Sequence, residues 1–347
     1  MKTSFISTQN ISQSMRYQVT RMHVDLNTLQ KEMSTQRVAD TGLHLGAQTG
    51  RSVSLERDID RLKGIIDTNG LAAARLKSTQ QSMSAISSVA SKLMSTLNAA
   101  AAGSVEPKVT RTEALGAITS MTSTLNTSFN GEYIFAGVNT DVKPIADFSA
   151  GSASRTAIET AFATHFGFAH TDPAAANLSG TDVVDFLTNV LEPQFMADWG
   201  TNWSSATDQT IVSRITLNDT ETTSISANSD GIKQMALAAS VIGVLFEGQI
   251  GDNALAKVAR YGVEKMGQAT SGLAHTQATA GISEQRIAAA SERLQMQVDI
   301  FKGNVSDLVG IDPYEVSNRI TALLDQIETS YTLTARIRQL SLVKYLR

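Results

Sequence analysis

The two ends of the 347-residue chain carry apolar stripes with the spacing of amphipathic helices. Near the N terminus, apolar side chains recur every three or four residues, at Ile11, Met15, Val19, Met22, Leu26, Leu29 and Met33. The last segment carries a second stripe, at Val316, Ile320, Leu323, Ile327, Tyr331, Ile337, Leu340 and Leu346. The first stripe has no partner nearby in sequence. We therefore expect the two ends to pack on each other, so that the chain goes out and comes back.

Both halves of the chain have room for long helices, because proline rarely occurs inside one. Residues 1–106 and 194–312 contain no proline, since all five lie at Pro107, Pro144, Pro173, Pro193 and Pro313. A polar break separates the first stripe from a second long helix and contains Gly42, Gly46 and Gly50. Asp312-Pro313 predicts the start of the last helix, with an N-cap aspartate and a first-turn proline.

The stretch NGEYIFAGVNTDVKP, residues 130–144, interrupts the helical pattern. Asn130-Gly131 is a hairpin-turn dipeptide, and the following Tyr133, Ile134 and Phe135 favour strands. A second turn-prone cluster begins at Asn139. The sequence therefore predicts a short β ribbon, which we call the neck ribbon and define by Gly131, Tyr133, Phe135 and Gly137.

Residues 141–225 differ from their surroundings, since they hold three of the five prolines and both tryptophans. Within them, residues 183–191 are predicted to form a short helix, and residues 211–217 and 220–226 a hairpin. We predict three regions: helical residues 1–140, a variable outer domain at 141–225, and helical residues 226–347. The predicted fold is mainly α, with long antiparallel terminal helices in a coiled-coil-like rod and a smaller α+β insert.

Composition argues against several classes of partner. The net charge is −4 and no Lys/Arg-rich cluster is present, so we expect neither nucleic acid nor a membrane as partner. Only 18% of residues are charged, which suits a chain that buries its flanks against copies or relatives of itself. The N-terminal MKTSFISTQN lacks an apolar run, so we expect no cleavable secretory signal.

A search for catalytic or metal-binding patterns suggests no enzyme, cofactor or metal site. His165 and His170 could join Asp172 in a metal site, but their spacing does not point two imidazoles in one direction along a helix. No serine occupies a G-x-S-x-G turn, and the chain contains no cysteine.

Several segments together resemble the bacterial flagellin superfamily, and within it the hook-filament junction proteins. GEYIFAG at 131–137, followed by Asn139, Thr140 and Pro144, is similar to a stretch of the junction proteins that flagellins generally lack. The segments 224–235 (SISANSDGIKQM) and 310–320 (GIDPYEVSNRI), and the ending SYTLTARIRQLSLVKYL, also resemble this family. The resemblance covers about residues 1–140 and 225–347. Residues 34–51 depart from the usual family pattern.

The resemblance implies a non-catalytic structural protein of the flagellum that joins hook to filament. Its implied partners are itself, another hook-associated protein below, flagellin above, and a cytoplasmic export chaperone on the C-terminal helix. It also implies secretion by the flagellum-specific type III exporter, to an extracellular position. We expect both terminal stripes to be frayed in the monomer, because an isolated amphipathic stripe gains little until a partner covers it.

Three alternatives remain open at this point. The chain could be a filament flagellin, which differs in copy number. The insert at 141–225 could carry an enzyme or a binding domain. An intracellular helical signalling rod is disfavoured by the neck ribbon and by the SLVKYL ending.

Overall fold

The computed structural model describes residues 8–345, without the side chains of Thr8, Gln9, Ser12 and residues 337–345. It divides the chain into two compact units, which we describe separately. Unit 1 contains residues 1–64 and 295–347, and unit 2 contains residues 65–294. Two long helices, α3 (Thr49–Ala101) and α9 (Asp252–Val309), contribute to both units.

In unit 1 the two ends of the chain meet as helices. The first helix is α1 (Thr8–Thr35) and the last is α10 (Pro313–Tyr345), and they pack against each other. Leu26 of α1 and Val316 and Ile327 of α10 are buried. The expectation that the two ends pack on each other is confirmed.

A short connection in unit 1 leads from α1 into α3, through α2 (Thr41–Leu45) and a 3-10 turn (Gly46–Gln48). Asp40 caps α2 by accepting a hydrogen bond from the Leu43 amide at 2.9 Å. Gly46 has a φ of +51°, in the left-handed region that glycine tolerates, where α2 ends. The predicted glycine-containing break is therefore a real change of chain direction.

The segments that follow α1 and precede α10 are joined through their backbones. Arg37 and Gly310 form an antiparallel bridge, and the Val38 amide donates to the Val309 carbonyl at 2.9 Å. The Arg37 guanidinium also lies 2.8 Å from a carboxylate oxygen of Glu56. This junction lies in the segment that departs from the family pattern, and it ties the outgoing chain to the returning chain.

Unit 2 is built around α8 (Asp230–Leu245), which is buried at every position except Asp230, Lys233 and Gln234. A helix that is apolar on all sides must be surrounded by other elements. Around it lie α4 (Pro107–Leu125), the unit 2 parts of α3 and α9, and the insert helices α5 (Ala153–Phe166), α6 (Gly180–Phe186) and α7 (Glu192–Ala197).

The insert shares one hydrophobic core with the long helices of unit 2. Its Phe162, Phe186 and Trp199 belong to the same buried cluster as Leu93 of α3 and Ile242 of α8. A π-helical turn lies on each side of α7, at Leu187–Leu191 and Trp199–Trp203, and a 3-10 turn spans Pro173–Asn177. The predicted boundaries at 140/141 and 225/226 therefore lie inside unit 2.

Two small antiparallel sheets complete unit 2. One pairs β1 (Ser128–Phe129) with β2 (Glu132–Tyr133), and the other pairs β3 (Val212–Arg214) with β4 (Thr220–Thr222). The predicted fold class, mainly α with long terminal helices and a small β-containing insert, is confirmed. Within residues 8–345, none of the helices has the length and apolarity needed to cross a membrane.

Candidate assembly surface and neck ribbon

The N-terminal and C-terminal stripes form one apolar seam between α1 and α10. Ile11, Met15, Val19, Met22, Leu29, Ile320 and Leu323 are half-buried and flank the buried Leu26, Val316 and Ile327. Met33 and Tyr331 are exposed, although the Tyr331 hydroxyl lies 3.0 Å from Nε2 of His23. Leu346 and the side chains of Ile337 and Leu340 lie outside the described residues. That the seam serves assembly or chaperone binding stays a prediction.

The helix pair of unit 1 also presents apolar side chains that the described residues leave largely exposed. On α1, Tyr17 and Val24 are 71% and 58% exposed and lie seven residues apart. On α10, Leu324 and Tyr331 have the same spacing and are also exposed. We call these four residues the outer row. Sequence reasoning missed most of it, although its heptad spacing is visible in the sequence.

A groove of about 510 Å³ runs between α1 and α10 in unit 1. Leu29 and Leu323 line it, together with the charged Asp25, Glu32 and Arg319. Exposed apolar surface beside charged side chains is typical of an interaction surface. The seam, the outer row and this groove together form the candidate assembly surface.

The neck ribbon is a tight hairpin whose turn requires two left-handed residues. Asn130 and Gly131 have φ values of +53° and +86°. Such a turn matches the right-handed twist of the paired strands, and Asn-Gly is its preferred sequence. Ser128 pairs with Tyr133 and Phe129 with Glu132. The predicted turn is confirmed.

The ribbon is shorter than predicted, because β2 ends at Tyr133. Ile134 and Phe135 are fully buried and belong to the core cluster of unit 2. The Phe135 carbonyl accepts a hydrogen bond from the Ala227 amide at 2.8 Å, and Ala136 forms a bridge with Ser226. Strand-favouring side chains here fill the core, while their backbone pairs with the segment that returns from the insert.

Gly137 is required by both its backbone conformation and its surroundings. Its φ is +70°, and a Cβ at this position would lie 2.5 Å from the Thr207 carbonyl oxygen and 2.6 Å from that of Gln209. The Val138 amide donates to the Thr207 hydroxyl at 3.0 Å. At residue 137 the backbone after the ribbon therefore lies directly against the backbone of residues 207–209.

Arg75 fastens the ribbon to α3. Its guanidinium lies 2.8 Å from a carboxylate oxygen of Glu132, and its other terminal nitrogen donates to the Tyr133 carbonyl at 3.3 Å. The Tyr133 amide donates to the Thr140 carbonyl at 2.8 Å. The neck ribbon is thus held from α3 and from both ends of the insert.

Asn228 is a polar hub that sequence reasoning missed. Its Oδ1 accepts from Trp199 Nε1 at 2.7 Å and from the Ser204 hydroxyl at 2.6 Å. Its Nδ2 donates to the Ala206 carbonyl at 3.0 Å and to an Asp208 oxygen at 2.8 Å. Asn228 is half-buried, and an amide whose oxygen and nitrogen are both bonded in this way favours one arrangement of the segments around it. Asn228 therefore sets where the insert rejoins the helical core.

The hairpin β3–β4 contacts both α3 and α9 in unit 2. Ile215 is buried among Ala72, Leu76 and Ile287, and its carbonyl accepts from Asn69 Nδ2 at 3.0 Å. The same Asn69 nitrogen lies 3.1 Å from the Ser291 hydroxyl. Arg286 of α9 pairs with Glu221 of β4 at 2.6 Å. The predicted hairpin is confirmed, and its role in joining the two long helices is new.

Three ionisable groups of unit 2, on α7 and α9, are paired with one another. Lys265 of α9 donates to Glu192 of α7 at 2.7 Å, and the Tyr261 hydroxyl lies 3.2 Å from the same carboxylate. Burial, reinforced by the charge of Glu192, raises the pKa of the Tyr261 phenol above its ordinary value. These contacts join the insert to α9.

The histidines considered as metal ligands are not brought together with other ligands. His165 is exposed and His170 is buried. Among residues 8–345, no group of three or more His, Asp or Glu side chains has the arrangement needed to hold a metal ion.

Two protein-family models match the chain. The bacterial flagellin N-terminal helical region matches residues 6–140, and the bacterial flagellin C-terminal helical region matches residues 263–346. No curated protein sequence matches. Among solved structures, one described as a putative flagellar hook-associated protein from Vibrio parahaemolyticus matches with a TM-score of 0.52 and 10% identity. That match covers 76% of this chain and 97% of the other, and at this identity it concerns the fold alone.

The geometry at Gly137 predicts a large effect from one added methyl group. Gly137→Ala is expected to lower the free energy of unfolding of unit 2 by about 1–3 kcal/mol or more. An alanine is strained in this left-handed backbone conformation, and its Cβ would collide with two carbonyl oxygens. Urea denaturation followed by tryptophan fluorescence measures this, since both tryptophans lie in unit 2.

Gly116→Ala is the matched control. Gly116 lies inside α4 with open space around its Cβ position, so this change is expected to stabilise by up to about 1 kcal/mol. Equal effects of the two substitutions would contradict the close approach at Gly137.

Proposed function

The chain belongs to the flagellin superfamily, whose members are structural components of the bacterial flagellum, and we propose that it joins the hook to the filament. The neck ribbon carries this proposal, because the GEYIFAG stretch resembles the junction proteins and is generally missing from flagellins. The fold likeness to the Vibrio parahaemolyticus structure, described as a putative flagellar hook-associated protein, is compatible with this proposal.

The candidate assembly surface supplies the driving force for self-association. Tyr17, Val24 and Leu324 are partly exposed in the single chain. Burying a wholly exposed apolar side chain contributes about 1.5–3 kcal/mol, and association would gain the share that corresponds to the area still exposed. Part of that gain is offset by the lost freedom of the associating subunits. Neighbouring copies and other axial proteins with similar terminal helices would cover the outer row. In the assembly, this covering would further stabilise the packing of α1 against α10.

A junction subunit must hold its own shape while it contacts two different polymers. The contacts of Arg75, Gly137 and Asn228 keep the neck ribbon and the insert fixed to the long helices of unit 2. The candidate assembly surface lies in unit 1, on α1 and α10. The candidate assembly surface would adjust to the two different polymers, while the structure of unit 2 stays the same. No catalytic step forms part of this proposal.

Position in the flagellum distinguishes the junction from the filament. Immunogold labelling of isolated flagella with antibodies against residues 141–225 is expected to give a single band at the distal end of the hook. A strain without the gene is expected to make hooks with no attached filament and to release flagellin. Label along the whole filament, or normally anchored filaments in that strain, would instead support a filament flagellin.

The C-terminal stripe needs protection before export, and we propose that a cytoplasmic chaperone binds α10 as an amphipathic helix in a groove. Joint replacement of Ile320 and Ile327 by Asp is expected to weaken chaperone binding about a hundredfold, because two apolar side chains lose their burial.

Joint replacement of Asn318 and Thr329 by Asp is the matched control, since both side chains are exposed on the same helix. It adds the same charge and is expected to leave affinity nearly unchanged, as measured by calorimetry. Full affinity after removal of residues 313–347 would contradict the proposed chaperone site.

A further inference from the structure

His170 lies in the loop that follows α5 and is enclosed by protein on nearly every side. The residue is only 5% exposed. Its ring meets the Phe162 ring edge-on, with centroids 6.1 Å apart. Nε2 is buried and has no hydrogen-bond partner. A neutral imidazole tolerates this environment, because an unprotonated ring nitrogen is an acceptor that carries no charge.

The backbone at His170 joins two loops of unit 2. Its carbonyl accepts a hydrogen bond from the Gln249 amide at 3.0 Å. Gly248 lies so close that a Cβ there would collide with the His170 carbonyl. Residues 167–172 are thus held against residues 246–251, which connect α8 to α9.

Charged groups from α4, α5 and the loop after α8 face His170, and they form ion pairs with one another. Arg155 pairs with Glu159 on α5 at 2.7 Å, and Glu247 pairs with both Arg155 and Arg111 of α4 at 2.5 Å. Although burial alone would raise it, the two arginines hold the pKa of Glu247 below its ordinary value. Glu247 therefore stays ionised and bound to arginine when the pH falls moderately.

The two other titratable groups of this region are also accounted for. Asp172 accepts from the Ala174 amide at 2.8 Å and caps the 3-10 turn that follows. His165 is exposed and stacks at the edge of the Phe166 ring. Neither forms a hydrogen bond with the His170 ring. None of the described acidic groups is therefore placed to accept a hydrogen bond from a protonated Nε2.

Protonation would place a charged ring in this buried site without a hydrogen-bond acceptor at Nε2. The new N–H at Nε2 would lack an acceptor, and the cation would lie against an aromatic ring edge, which carries positive partial charge. Burial lowers the pKa of His170; Glu159 and Glu247 oppose this shift, and Arg155 and Arg111 add to it.

We propose that His170 is a pH-sensitive latch, which holds the 167–172 loop closed when neutral and releases it when protonated. Opening would expose part of a phenylalanine cluster formed by Phe162, Phe166, Phe168 and Phe186. The arginine–carboxylate network continues to hold α5, so the loop opens while the helices stay folded. This device belongs to unit 2 alone and does not depend on the position of the protein in the flagellum.

The sign of the pH dependence follows from the lowered pKa. In the open loop His170 titrates near its ordinary value of about 6.5. The closed loop is favoured fully above that value. Below it, the ratio of open to closed loop rises about tenfold for each pH unit, until the closed form also binds a proton.

A spin label next to the latch tests the proposal. The chain has no cysteine, so Ala169→Cys, at an exposed position, gives a single labelling site in the full-length protein. Electron paramagnetic resonance is recorded from pH 8 to pH 5, with circular dichroism to follow helix content. The label is expected to become mobile as the pH falls below about 6.5, with helix content unchanged.

Two histidine variants assign the transition. His165→Asn in the labelled protein is the matched control, five residues away, and is expected to keep the transition. His170→Asn is expected to abolish it, with His170→Phe as a second unprotonatable variant if the first loses helix content at pH 8. An immobile label in both the parent and the His165→Asn protein down to pH 5 would overturn the proposal. A transition that persists in a folded His170 variant, or that coincides with loss of helix, would also overturn it.

Discussion

The packing of α1 against α10 is the interaction on which unit 1 depends. It brings together residues as distant in sequence as His23 and Tyr331, which lie 308 positions apart. Closing so long a loop costs conformational entropy, although the cost grows slowly with length. The seam offsets little of it, because among its described side chains only Leu26, Val316 and Ile327 are buried and most of the others are half-exposed. The backbone pairing of Arg37 with Gly310 adds a second connection between the outgoing and returning chain.

Unit 2 has a different source of stability. Its central helix α8 is enclosed by long helices and by insert helices, so that the insert shares a core with its support. The connections are then fixed by polar groups whose geometry allows one arrangement: Asn228 at the return from the insert, Asn69 beneath the hairpin, and Arg75 at the neck ribbon. The apolar contacts contribute most of the stability, whereas these polar side chains determine which segments lie side by side. A subunit with an apolar, incompletely covered helix pair in unit 1 and a densely packed unit 2 suits assembly through the former.

Much of the fold could be predicted because its signals are local. The heptad spacing of the terminal stripes, the Asn130-Gly131 turn and the Asp312 cap each act within a few residues, and the structure confirms them. The prediction for Ile134 and Phe135 was wrong for a tertiary reason, since strand-favouring side chains also suit a buried core. Asn228 and Asn69 bond to partners at least twenty residues away, and His170 is held by the distant Gln249, so nothing in the local sequence distinguishes them from ordinary surface residues.

Cross-linking within the single chain tests the pairing of α1 with α10 most directly. Cysteines replacing His23 and Tyr331, joined by a short bis-maleimide in the purified monomer, are expected to give an internally cross-linked product in high yield. Cysteines replacing His23 and Tyr314 provide an out-of-register control, seventeen residues away along α10, and are expected to react poorly. Equal yields from both pairs, or only intermolecular products, would contradict a specific register between the two ends of the chain.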